Sequence, residues 1–173
     1  MLMGPISMTA VNLLEPAEFT RVFGNVVELA PSIGSVLARR RPLKDVQHLL
    51  TELNTIIDGL SDSDKVDILR RHPDLAGVLA EKGLLTTEST AEQKSAGLDQ
   101  LTEQQKYDLQ RMNKSYRDKF GFPFVICARE NKAVAILEGL TTRMINTRER
   151  ELDIGIGEVK KIARLRVCDL VMA

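Results

Sequence analysis

Tryptophan is absent from the 173-residue chain, and histidine and cysteine occur only twice each. Two cysteines, Cys127 and Cys168, cannot build a disulfide framework. With His48 and His72 as the only histidines, no CxxC or His-pair spacing offers a zinc site. The expectations are therefore no metal and a reduced, cytoplasmic setting. Charge of one sign is also lacking. The 24 Lys and Arg residues balance 24 Asp and Glu, for a formal net charge of +0. That leaves no basic footprint for nucleic acid. No apolar run approaches the roughly 20 residues of a membrane helix. The start, Met1 to Pro5, has neither the basic region nor the apolar core of a signal peptide. No P-loop or GxSxG occurs, and Gly155 and Gly157 form G-x-G without a third glycine.

What is present is helical. Phe19, Val22, Phe23, Val26 and Ala30 share one helix face, closed by Pro31. Pro42 is placed to open a helix whose stripe is Val46, Leu49, Leu50, Leu53, Ile57 and Leu60. Ser61 or Ser63 can cap the next helix, which must stop near His72 because Pro73 follows. Asp74 can cap a short helix carrying Leu75, Val78 and Leu79. Ser89-Thr-Ala-Glu92 and Thr102-Glu-Gln-Gln105 have the form of capping boxes. The second opens a helix with Leu109, Met112 and Tyr116, ending at Gly121. Phe122 to Ala128 breaks the pattern as a buried extended run in which Pro123 forbids helix interior. Helices around Ala133–Met144 and Val159–Leu170 complete the chain. The expectation is one all-α domain over residues 1–173, with seven to eight helices and one extended apolar segment at 122–128. Its first ten or so residues are expected to be flexible.

Candidate chemistry concentrates at few positions. His72 sits at a helix break, where a side chain can face a cleft, and histidine exchanges protons near neutral pH. His48 lies toward the polar side of its helix. Ser89 and Glu92 are either capping groups or site groups at a helix start. Along the last helix, residues 159, 162, 163, 166 and 170 share a face that is apolar except for Arg166. A guanidinium there needs a carboxylate partner, internal or ligand-borne. Arg164 instead shares its side with Lys160 and Lys161.

Four motifs carry a resemblance: Arg71-His-Pro-Asp-Leu-Ala-Gly77, Glu88-Ser-Thr-Ala-Glu-Gln93, Lys119-Phe-Gly-Phe-Pro-Phe-Val-Ile-Cys-Ala-Arg129 and Glu158-Val-Lys-Lys-Ile-Ala-Arg-Leu-Arg166. In this order they resemble the 2-oxo-4-hydroxy-4-carboxy-5-ureidoimidazoline (OHCU) decarboxylase family, from about Leu13 to Leu170. The resemblance implies an all-α, cofactor-free carboxy-lyase, a homodimer, that converts OHCU to (S)-allantoin in urate breakdown. It implies catalytic roles for His72 and Glu92. It implies substrate contacts from Pro73, Ser89, Gln93, Phe124, Ile126 and Arg166. Two departures stand out. Ser32 replaces a tryptophan common in the family, and Gly155 and Gly157 stand where helix formers are favoured, which predicts a later or looser start to the last helix. An inactive relative, or one acting on another ureide, is one alternative; His72-Pro73-Asp74 is also the tripeptide of J-domain co-chaperones, a binding-module alternative. The helix before it carries Asp62, Asp64 and Asp67, against the basic helix of that family.

Overall fold

Capping residues and helix breakers set the boundaries of most elements. The computed structural model describes residues 4–173. Its described residues form ten α-helices: α1 Met8–Leu13, α2 Pro16–Phe23, α3 Pro31–Ala38, α4 Val46–Asp58, α5 Asp62–Arg70, α6 Val78–Glu81, α7 Thr87–Ser95, α8 Glu103–Phe120, α9 Ala133–Arg143 and α10 Arg148–Leu170. A 3-10 turn covers Ala128–Glu130. Among the described residues the only β-type pairing is the parallel bridge Ile6–Val171. The all-α expectation holds. The count passes seven or eight in part because α1, of 6 residues, is too short for periodicity to register, whereas the 4-residue α6 falls where a short helix was expected. No described helix is long and apolar enough to cross a membrane.

The chain divides into two compact units. One holds the described residues up to Arg71 together with Lys160–Ala173, and the other holds His72–Val159.

In the first unit, α2 and α3 each open on a proline, Pro16 and Pro31, whose missing N–H is harmless there. The stripe from Phe19 to Ala30 is not one helix. α2 stops at Phe23 with Gly24 as its cap, and Leu29 adopts φ 51°. That turn is held by Asn25 Oδ1, which accepts from the Leu29 N–H at 2.8 Å, and by Arg71, which donates to the Leu29 carbonyl at 2.6 Å. Val26 and Ala30 are buried all the same, from a turn rather than a helix face. Pro42 does not open α4. It lies in the preceding loop, and Asp45 is the cap, accepting from the His48 N–H at 2.7 Å. Ser61 caps α5 as expected. The expected flexibility of the first ten or so residues lies, for residues 1–3, outside the described residues. From Ile6 the backbone is tied down: the Ile6 N–H donates to the Leu170 carbonyl at 3.0 Å, and Ser7 caps α1.

In the second unit, Gly77 rather than Asp74 stands at the start of α6. Thr86 caps α7, accepting from the Ser89 N–H at 3.2 Å, so Ser89-Thr-Ala-Glu92 is not a capping box. Thr102 and Gln105 do form one, at 3.0 and 3.1 Å. Gly121, at φ 80°, ends α8 in a conformation that suits glycine. The buried stripe of α8 is Leu109, Asn113, Tyr116 and Phe120, with Asn113 in place of the expected Met112. Tyr116 gathers the core aromatics, with ring centroids 4.5 Å from Phe120, 6.2 Å from Phe122 and 5.4 Å from Phe124. α10 starts at Arg148 and runs through Gly155 and Gly157 without interruption, so the later start is not observed. Its buried Leu152, Ile156 and Val159 supply packing that outweighs two weak helix formers.

Candidate active site

His72 follows the last turn of α5 and is buried, at 8 % exposure. The loop it begins is built against conformational preference, because Ala76 adopts φ 50°. For a residue with a Cβ this costs about 1–2 kcal/mol, so the loop needs external support. Three amide side chains give it. Gln93 of α7 accepts from the Ala76 N–H at 2.9 Å and donates to the Asp74 carbonyl at 3.3 Å. Asn113 of α8 donates to the Leu75 carbonyl at 3.1 Å, and Gln110 to the Ala76 carbonyl at 3.4 Å. Arg117 adds an ion pair to Asp74 at 3.1 Å. Burial nonetheless raises the Asp74 carboxyl above the usual range, and the arginine only partly counters it.

α7 brings the sequence-selected residues to this loop. Ser89 and Gln93 are buried one turn apart, and Glu92 is half-buried between them. Since Thr86 supplies the cap, the Ser89 hydroxyl and the Glu92 carboxylate are not held by the role that S-x-x-E suggests. The far end of α7 is fastened to the turn after the apolar segment: the Ala133 N–H donates to the Ala96 carbonyl at 3.0 Å, and Lys132 donates to the Ser95 carbonyl at 2.8 Å. Glu92 is close enough to Cys127 to add to the rise in that thiol's pKa, which burial dominates. Phe124 is buried and Ile126 half-buried in the segment between. His72, Pro73, Ser89, Glu92, Gln93, Phe124 and Ile126 thus all belong to the second unit, on three segments linked by α7.

Arg166 belongs to the first unit, at 4 % exposure, whereas Arg164 is exposed. It donates to the Asn25 carbonyl at 2.7 Å and lies 3.6 Å from the Glu28 carboxylate, itself 1 % exposed. The internal carboxylate that the apolar face demanded is therefore present. His48 is partly exposed beside Glu52 at 3.5 Å. Among the described residues no group of three His, Cys, Asp or Glu side chains is arranged to hold a metal ion.

Sequence reasoning missed Asn113, Arg143, Glu151 and Glu158. All four are buried. The signal that picks Arg166, a polar residue on an apolar helix stripe, also marks Asn113 between Leu109 and Tyr116.

The fold matches solved structures. One is (S)-allantoin synthase, with a TM-score of 0.79 at 22% identity over 97% of this chain; the chain spans about half, 54%, of that protein. Another is OHCU decarboxylase in the presence of (S)-allantoin, with a TM-score of 0.68 at 23% identity, covering 89% of this chain and 96% of the other. At the sequence level, the mouse (Mus musculus) 2-oxo-4-hydroxy-4-carboxy-5-ureidoimidazoline decarboxylase is 41% identical over 168 residues, covering 97% of this chain and 94% of its own. A helical domain with one buried histidine on a clamped loop, within a fold shared with these structures, defines the class. The OHCU decarboxylase family model matches residues 12–168, and the chain belongs to that family. This match disfavours the J-domain reading of His72-Pro73-Asp74.

Proposed function

We propose that this protein decarboxylates OHCU to (S)-allantoin in urate catabolism. The observation that carries the reading is the clamp on the His72 loop by α7, the helix that also bears Ser89 and Glu92, in a chain of this family. A histidine on a braced backbone can act on a reacting carbon at fixed distance and angle.

The substrate explains the residue types. Its carboxylate leaves a carbon next to a ring C=N bond. The C–C bond breaks, CO2 departs, and the electron pair spreads into the imine, so the substrate carries its own electron sink. The nitrogen of the former imine takes up a proton, the carbon that keeps the hydroxyl becomes a ring carbonyl, and a proton must reach one face of the adjoining ureido-bearing carbon. His72 engages the carboxylate and hydroxyl at the reacting carbon and takes part in proton transfer, help typically worth roughly 10²–10⁴-fold. Glu92 orients His72 or the hydroxyl. Ser89 and Gln93 bond ring or ureido groups, beside Pro73. The backbone of Phe124 and Ile126 meets the flat ring, and Arg166 holds the ureido or carbonyl end. Binding a small anion needs placed donors of this kind rather than a basic surface. The reading also includes a homodimer, on the family resemblance. A cytoplasmic setting suits two free thiols, one of them exposed.

The test generates OHCU in situ from urate with the two preceding enzymes and follows circular dichroism. The expected outcome is an (S)-allantoin signal that grows far faster than the spontaneous, racemic background. A rate equal to that background sinks the proposal. The His72→Asn variant should fall close to background, and an unchanged rate removes His72 from the mechanism.

A further inference from the structure

Residues 123–127 belong to neither helix nor strand, and Cys127 is extended, so the backbone groups of this segment need other partners. Charged side chains supply them at two adjoining peptide bonds. Arg143 Nη1 donates to the Val125 carbonyl at 2.8 Å. Glu158 Oε1 accepts from the Cys127 N–H at 3.3 Å. The Val125 carbonyl shares a planar trans peptide with the Ile126 N–H, and the Cys127 N–H shares the next one with the Ile126 carbonyl. In a trans peptide the C=O and N–H point in opposite directions. Pinning the first group of each plane therefore aims the second group away from the pin. Among the described residues the Ile126 N–H and C=O themselves form no hydrogen bond.

Arg143 is itself held by further contacts. Arg143 Nε donates to Glu151 Oε1 at 2.8 Å, and Tyr116 donates to the same oxygen at 2.5 Å. Asn146 donates to Glu151 Oε2 at 2.8 Å, and the Arg143 guanidinium sits 4.3 Å from the Phe124 ring centroid. Glu151 is fully buried. Stability alone does not explain this arrangement. Buried ion pairs are often no better than apolar packing, and Arg143 Nη2 makes no hydrogen bond among the described residues. Polarity adds a second effect. A cation on one carbonyl strengthens the Ile126 N–H as donor, and an anion on the next N–H strengthens the Ile126 carbonyl as acceptor.

We infer that Arg143 and Glu158 are positioning residues that aim the Ile126 N–H and C=O as an adjacent donor–acceptor pair. The matching ligand edge is a cyclic amide or ureide, which offers a C=O beside an N–H. This rests on the proposed decarboxylase reading and deepens it, making Ile126 the backbone reader of the ring.

The test uses full-length Glu158→Ala, Glu158→Gln and Arg143→Lys, each checked for parental far-UV circular dichroism and a cooperative melt. With OHCU generated in situ, Glu158→Ala should lower kcat/KM roughly tenfold, mostly through KM, as expected when ground-state binding is lost. Glu158→Gln keeps an acceptor for Cys127 and should recover most of it. Arg143→Lys should lose up to about 10²-fold, as misplacement near 1 Å does. Its pH–rate profile should superimpose on the parent's, because no proton-transfer group is altered. Parental KM and kcat in folded Glu158→Ala and Arg143→Lys overturn the inference. If Arg143→Lys does not fold, Tyr116→Phe loosens Glu151 by one hydrogen bond, and parental kinetics there are equally fatal. If the parent itself shows no activity, the decarboxylase reading fails separately. Amide exchange then decides: protection at Cys127 should drop roughly tenfold in Glu158→Ala, the loss of about one hydrogen bond, and unchanged protection rejects the pin.

Discussion

Gln93 Oε1 accepts the backbone N–H of Ala76 at 2.9 Å, while Ala76 holds φ at 50°. One helix side chain thereby stabilises a loop conformation that the loop's own residues disfavour, four positions from His72. Gln93→Ala strands a buried donor and should cost about 1–3 kcal/mol in urea denaturation. The folded variant should also lose kcat/KM for (S)-allantoin formation. Gln93→Glu keeps the acceptor but not the donor to Asp74, and should lose less stability than Gln93→Ala. Equal losses in the two would show that the Ala76 contact is not the one that matters.

Asp74 gives a pH signature. Burial raises its carboxyl pKa in the folded state, so the unfolded chain releases this proton first as pH rises. The contribution of this group to stability is therefore greatest in acid and is lost as pH climbs through the raised folded value. Asp74→Asn removes that dependence. Melting temperatures measured from about pH 3 to about pH 7 should show the variant gaining on the parent. A constant difference across that range contradicts the raised value.

The thiols should behave unequally. Cys127 is buried with its pKa pushed up by burial and nearby carboxylates, whereas Cys168 is exposed. A thiol reagent at mild alkaline pH should label Cys168 quickly in the native protein, and Cys127 only after denaturant is added. Fast native labelling of both would place Cys127 outside the core.

Gly157 lies inside α10, and a Cβ built there meets nothing within 4 Å. Gly157→Ala should raise stability by about 0.5–1 kcal/mol, the usual cost of helical glycine. Thermal melts check this, and a lower melting temperature would mean that the position is crowded.

Much of the helical fold was legible because caps and breakers act locally. Thr102 with Gln105, Ser61 and Gly121 each fulfil the role their local sequence announces. The errors share one cause. Pro42, Asp74 and Ser89-Thr-Ala-Glu92 are all plausible helix starts, but the observed N-terminal caps are residues a few positions away: Asp45, Gly77 and Thr86. Local signals rank poorly against each other when tertiary contacts choose between them. Phe19 to Ala30 shows the complementary case, where buried spacing survives although the helix ends at Phe23.

Candidate side chains were legible in the sequence, and the residues that support them were not. His72 and Arg166 stand out as a histidine at a break and a cation on an apolar stripe. Arg143 and Glu158 do not, because their partners are backbone groups of a segment with no strand to satisfy it. Such pairings depend on long-range folding, which no spacing rule encodes.

The segment Phe122 to Cys127 has a further consequence for the unfolded chain. Apolar, β-branched and aromatic, it has the composition of an aggregation-prone window. In the native protein the Val125 carbonyl and both backbone groups of Cys127 are occupied by side chains of Arg143, Glu158 and Asn131. No row of vacant backbone groups is left on that side for a second molecule to extend. Pro123 interrupts pairing when the helices are gone, a gatekeeper inside the stretch it guards.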